Sequence, residues 1–204
     1  MKLVGMLDSP YVRRLAITMR LLGIEFEHVS QSVVAGYDTF RTINPLAKAP
    51  TLVLDDGEMM VESTLIISYV ETITGRSLMP DNIDERRRAL QVIGVALTGM
   101  DKVVAQIYEL DMRPAEFQYE PWLQRVRDQA AEAFDWLEAA VAAIDGDGWL
   151  FGDQITQADI STAVAWRFLQ AKYPGEVREH DRPAVVRFGQ KAEGLPEFAA
   201  CSFE

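Results

Sequence analysis

Two hydrophobic periods alternate through residues 1–75, and after that only one remains. Residues 3–7 form a short apolar run that reads as a strand. Residues 15–22 carry the three- and four-residue spacing of an amphipathic helix that stops at Gly23. Residues 24–29 alternate apolar and polar as a second strand, and residues 37–43 make a short helix closed by Asn44-Pro45. Two further strands, 51–54 and 58–61, flank Asp55-Asp56-Gly57, a hairpin signal. A helix over 64–74 follows, with Ser63 as its cap, Leu65, Ile66, Tyr69, Val70 and Ile73 on its apolar face and Gly75 as its stop. The order β-α-β-α-β-β-α predicts an open α/β sheet with helices on its faces.

Beyond the turn-rich stretch Met79-Pro80-Asp81-Asn82, no strand pattern returns. A long helix is expected over 86–110, where Leu90, Ile93, Leu97, Met100, Val104 and Ile107 recur at helical spacing. Arg113-Pro114 and Glu120-Pro121 bracket a loop. A second long helix covers 122–144 with Leu123, Val126, Ala130, Phe134, Leu137 and Val141 on one face, ended by Asp145-Gly146-Asp147-Gly148. A third runs 157–172, a fourth follows Arg182-Pro183, and Leu195-Pro196-Glu197-Phe198 starts a short final turn. The chain therefore divides into an α/β domain over 1–77, a linker over 78–85 and an all-helical domain over 86–204.

Composition narrows the function. With 204 residues and a formal net charge of −11, the chain lacks the basic balance of a nucleic-acid binder. A small anion remains a possible ligand, because a helix N-terminus and one or two local cations can hold it. Cys201 is the only cysteine, so no disulfide framework or cysteine metal site is available, and a reducing cytoplasmic setting is expected. His28 and His180 have no ligand spacing, and no metal is expected. No signal-peptide core follows Met1-Lys2, and no uninterrupted apolar run approaches a membrane span.

Three places in the α/β half could carry chemistry. Ser9 falls at the N-cap of the first helix with Pro10 at its first position. A hydroxyl there faces unpaired N–H groups and the positive end of a helix dipole, which suits a thiolate, although serine caps helices everywhere. Ala49-Pro50 precedes a strand. A cis bond there would present the Ala49 backbone to an extended peptide, whereas a plain trans turn is the commoner form. Glu62-Ser63 opens a helix, where it could hold an ammonium and a carboxylate or simply cap. A fourth place is structural: Thr156 and Asp159 have the spacing of a capping box, so Asp159 is expected to be buried and hydrogen-bonded.

Taken together, Ser9-Pro10-Tyr11-Val12-Arg13-Arg14, Asn44-Pro45-Leu46-Ala47-Lys48-Ala49-Pro50, Glu62-Ser63 and Thr156-Gln157-Ala158-Asp159 resemble, in order and spacing, the motifs of the cytosolic glutathione transferases. The resemblance is to the bacterial type with serine at the active position. It implies a thioredoxin-like N-terminal domain followed by an all-helical one. It also implies that Ser9 donates to the sulfur of glutathione and that the Ala49 backbone, beside a cis-Pro50, pairs with the cysteinyl part. Glu62 would hold the γ-glutamyl ammonium, Ser63 its carboxylate and Lys48 the glycyl carboxylate. The implied activity is attack of the thiolate on a small hydrophobic electrophile or a peroxide, in a cytoplasmic homodimer with no metal, nucleic acid or membrane partner. Glutathione-dependent isomerases or dehalogenases and non-enzymatic partner-binding proteins share this fold and are the alternatives. Met100, Tyr108, Met112, Arg113 and Trp166 are candidates to face the electrophile. Ala49 in place of Val or Ile, and Tyr11 in place of Phe, depart from the family's usual residues.

Overall fold

The computed structural model describes residues 1–144 and 146–203, so Asp145 of the expected helix stop lies outside the described residues. In chain order the elements are β1 (Lys2–Val4), α1 (Pro10–Leu21), β2 (Glu27–Val29), α2 (Tyr37–Ile43), β3 (Thr51–Val53), β4 (Met59–Val61) and α3 (Ser63–Thr74). Then come α4 (Ile83–Ile107), α5 (Glu120–Ala142), α6 (Gln157–Lys172), α7 (Pro183–Glu193) and α8 (Pro196–Ala199). The chain forms two compact units, Met1–Leu78 with Gly194–Glu204, and Met79–Glu193. The tail expected in the helical domain therefore belongs to the first unit. Its reason is local: Arg13 on α1 donates through Nε to the Cys201 carbonyl at 2.8 Å and lies under the Phe198 ring.

The first unit is a thioredoxin-like four-stranded mixed sheet in the order β2-β1-β3-β4. β1 is parallel to β2 and antiparallel to β3, and β3 is antiparallel to β4. The register pairs Val4 with Thr51 and Thr51 with Val61, one row across the sheet. That row marks the end of the sheet where β1 and β4 finish and β3 begins. The strands are shorter than their apolar runs. β1 stops because Gly5 takes a φ of +140°, and a Cβ there would stand 2.6 Å from Val12 and 3.1 Å from the Ala49 side chain. The Asp55-Asp56-Gly57 turn closes with Leu54 N–H to Glu58 O at 2.8 Å.

Helix α3 begins one residue earlier than expected. Glu62, not Ser63, is its cap, and the buried stripe is Ser63, Ile66, Ile67 and Val70. Leu65 and Ile73, assigned to the apolar face by their size, lie 62% and 50% exposed. Helix α4 likewise starts at Ile83, capped by Asn82, and its buried stripe is displaced onto Ala89, Val92, Ile93, Ala96, Gly99, Met100 and Val103. Leu90 is exposed instead. Small residues at the contact let α5 and α6 approach closely, and a Cβ on Gly99 would already lie 3.4 Å from Phe134. By length and composition alone, Ile83–Met112 could cross a membrane, although charged residues interrupt its apolar run. Here it packs as a core helix of the second unit. Helix α5 buries the full stripe read from its sequence, and α6 is buried almost all round, with Trp166 edge-on to Phe134 at 6.0 Å.

Candidate active site

The sheet register gathers three chain segments at one end of the first unit. The turn after β1 leads to Ser9, the residue before β3 is Pro50, and the residue after β4 is Glu62. Ser9 sits at the N-cap of α1, half-buried, with extended φ and ψ of −73° and 122°. Its carbonyl accepts the Arg13 N–H at 2.9 Å, so its backbone starts the helix. Its hydroxyl makes no cap hydrogen bond. The backbone role of a cap is filled, and the side chain is not committed to it.

The Ala49-Pro50 bond is cis, as the resemblance implies, with Pro50 buried and Ala49 half-buried. The loop that carries it is organised by Asn44, fully buried, whose Nδ2 donates to Thr51 Oγ1 at 2.8 Å while its Oδ1 accepts from the Leu46 N–H at 2.9 Å. Thr51 in turn donates to the Lys48 carbonyl at 2.7 Å. Lys48 itself is exposed. Asn44 was legible only as a turn residue; its side-chain bonds make it the brace of the loop.

Glu62 adopts a φ of +73°, and its Oε2 accepts the N–H groups of Thr64 at 3.0 Å and Leu65 at 3.2 Å. Its Oε1 lies 3.5 Å from the Ser63 hydroxyl. Ser63 is buried and receives Nη1 of Arg14 at 3.1 Å, and the same nitrogen reaches Thr64 Oγ1 at 3.2 Å. Burial pushes the Arg14 guanidinium down to about 10, with Glu62 and Tyr11 opposing, so it keeps its charge at neutral pH. The sequence reading passed over Arg14. The available signal was its phase, in step with Ile17 and Leu21 on the apolar stripe of α1.

Among the residues considered for an electrophile, Met100 and Trp166 are fully buried core of the helical unit. Tyr108 and Met112 are half exposed on a π turn, Tyr108–Met112, and Arg113 is tied to the buried Glu109 at 2.9 Å. No cluster of three His, Cys, Asp or Glu side chains placed to hold a metal occurs among the described residues. What the first unit offers is an uncommitted hydroxyl at a helix N-terminus, a carboxylate with one oxygen loosely held, and a buried cation behind a second hydroxyl. Those groups fit a ligand with a thiol and a zwitterionic end.

Comparison with known proteins agrees with the fold. The glutathione S-transferase N-terminal domain matches residues 3–77, and the C-terminal domain of the same family matches residues 120–188. The uncharacterized GST-like protein YibF of Escherichia coli (strain K12) is 30% identical over 200 residues, covering 98% of this chain and 96% of that protein. A glutathione transferase family member from Pseudomonas fluorescens Pf-5, solved with bound glutathione, is 29% identical with a TM-score of 0.83, covering 98% and 97% of the two chains. A glutathione S-transferase from Methylobacterium radiotolerans, in complex with glutathione sulfonate, is 26% identical with a TM-score of 0.88, covering 98% and 93%. With both domain types matched in order on a thioredoxin-like sheet followed by a helical unit, the chain belongs to the glutathione S-transferase family.

Proposed function

We propose that this chain is a glutathione transferase that binds glutathione on its first unit and uses Ser9 to favour the thiolate. The observation that carries this reading is the Ser9 hydroxyl, which stands at the positive end of α1 without a cap bond of its own. Glutathione, when bound, supplies the nucleophilic sulfur. Ser9 donates a hydrogen bond to that sulfur, the Ala49 backbone pairs with the cysteinyl part, and Lys48 faces the glycyl carboxylate. Glu62 receives the ammonium and Ser63 the carboxylate of the γ-glutamyl end.

The energies are sufficient. Each unit of thiol pKa depression needs about 1.4 kcal/mol. One hydroxyl bond to a charged partner gives roughly 1.5–3 kcal/mol, and the helix end adds about 0.3–1 kcal/mol. A depression of about one to three units follows, which populates the thiolate near neutral pH without ionising Ser9. Serine, unlike cysteine, forms no mixed disulfide, so the site favours conjugation to a small hydrophobic electrophile or reduction of a peroxide. The same reading makes the protein a cytoplasmic homodimer, supported by the outward apolar Leu65 and Ile73 of α3.

Calorimetric titration with glutathione, paired with a conjugation assay on Ser9→Ala, tests the reading. Saturable binding with a loss of turnover in the variant is expected. Absence of binding at millimolar glutathione would sink it.

A further inference from the structure

Among the described residues, Arg14 is a strongly buried cation next to the proposed ligand end whose bonds are incompletely used. Its side chain is 1% exposed, its Nη1 meets Ser63 Oγ and Thr64 Oγ1 at 3.1 and 3.2 Å, and its Nε has no partner among the described residues. Guanidinium offers donors only. Ser63 Oγ must therefore accept from Arg14, and its own hydrogen is turned away towards Glu62. There it finds Oε1 at 3.5 Å, well beyond a good O–H···O distance. The other oxygen, Oε2, is held by two N–H groups of α3. One donor and one acceptor are thus left poorly paired, side by side, at a helix N-terminus.

We propose that Arg14 is a positioning residue for the α-carboxylate of the γ-glutamyl end: it fixes Ser63 as a hydrogen donor and places a buried positive charge behind that donor. A carboxylate then takes the Ser63 hydrogen, and the adjoining ammonium takes Glu62 Oε1. One long neutral–charged contact is replaced by two charge-assisted bonds. This inference rests on the reading above, in which Ser63 receives the carboxylate. Arg14 touches neither the sulfur nor the electrophile. It acts through Ser63, so its loss should alter which ligands bind and not simply how stable the fold is.

The test is calorimetric affinity of the full chain for glutathione and for 4-aminobutyryl-cysteinyl-glycine, which lacks only the α-carboxylate. Wild type should prefer glutathione, and Arg14→Gln should reduce that preference about tenfold, the size of one bond to a charged group. Arg14→Lys should reduce it by a smaller factor, since a compact ammonium keeps the charge but cannot reach both hydroxyls. In Ser63→Ala, adding Arg14→Gln should lower the preference by a smaller factor than it does in wild type, because only the charge and no longer the Ser63 bond is lost. Equal weakening of both ligands in Arg14→Gln, with the preference intact, overturns the proposal and leaves Arg14 a structural residue. Should Arg14→Gln not fold, an unchanged preference in Arg14→Lys overturns it equally. A wild type that shows no preference for glutathione refutes instead the underlying assignment of Ser63 to a carboxylate.

Discussion

Asp159 takes the Thr156 N–H and the Thr156 hydroxyl on one carboxylate oxygen, at 2.7 and 2.6 Å, and the Leu150 N–H on the other at 2.8 Å. The residue is fully buried, so three donors depend on one side chain. Asp159→Ala removes the capping box of α6 and orphans those donors. A loss of about 2–3 kcal/mol is expected from the cap and the unsatisfied groups together, measured by chemical denaturation. Unchanged stability would refute the assignment of Asp159 as the brace of the helical unit.

Ser9→Ala should behave in the opposite way. A working side-chain cap costs about 0.5–2 kcal/mol when removed, but the Ser9 hydroxyl makes no cap bond. The variant should melt within about 0.5 kcal/mol of wild type while conjugation turnover falls roughly 10- to 100-fold, one lost bond to a charged sulfur. Loss of stability with retained turnover would return Ser9 to an ordinary cap.

Glu62 separates its two duties by charge. Glu62→Gln keeps an oxygen for the Thr64 and Leu65 N–H groups, so stability should stay within about 0.5 kcal/mol while glutathione affinity drops about tenfold. Glu62→Ala should also lose the cap, for about 1 kcal/mol, at a φ of +73° that alanine disfavours. Equal affinity in wild type and Glu62→Gln would show that no ammonium is held there.

The helical unit should carry an acid-sensitive bond. Partial burial would raise the Asp135 carboxyl, but Arg182 and Arg178 outweigh it and hold the group below its ordinary range. Asp135 therefore stabilises the fold at pH values above the ordinary aspartate range and ceases to do so as pH falls through its lowered folded value. Asp135→Asn disturbs the bond to the buried Arg182 Nε, 2.7 Å away, and should cost about 1–2 kcal/mol at neutral pH after allowance for solvent exposure. Urea titrations across pH should show the gap between the two proteins closing in acid. A gap independent of pH would rule out the ion pair as its source.

Local chemistry in the sequence was enough to find the elements. Tyr37–Ile43 and Gln157–Lys172 agree residue for residue with the periodic reading, and Gly75 ends α3 in the left-handed conformation with φ +63°. Periodicity failed where side-chain size misleads. Leu90 and Leu65 are large apolar groups in the N-terminal halves of their helices, yet the buried stripes run through alanines, glycine and Ile66–Ile67, because close helix contact selects small or β-branched residues. Long-range polar pairs were not legible at all. Nothing near Arg14 announces a hydroxyl 49 positions away, and nothing near Arg13 announces a carbonyl 188 positions away. The candidate residues Ser9, Lys48, Ala49, Pro50, Glu62 and Ser63 could be picked out of the sequence one by one, but the bonds of Arg14 between two helices and of Asn44 inside one loop depend on folded geometry.

The Arg13–Cys201 bond also bears on biosynthesis. Domains usually complete themselves in the order in which the ribosome emits them. Here α1 emerges early with a guanidinium that becomes buried, while its acceptor and the aromatic ring that covers it arrive with the final residues of this sequence. The helical unit lies between the two segments of the first unit, so translation must traverse all of it before the Cys201 carbonyl and the Phe198 ring can reach Arg13. Of the two units, the one begun first is thus the one finished last. A chain truncated after residue 78 would keep all four strands but lose the Cys201 carbonyl and the Phe198 ring that meet Arg13.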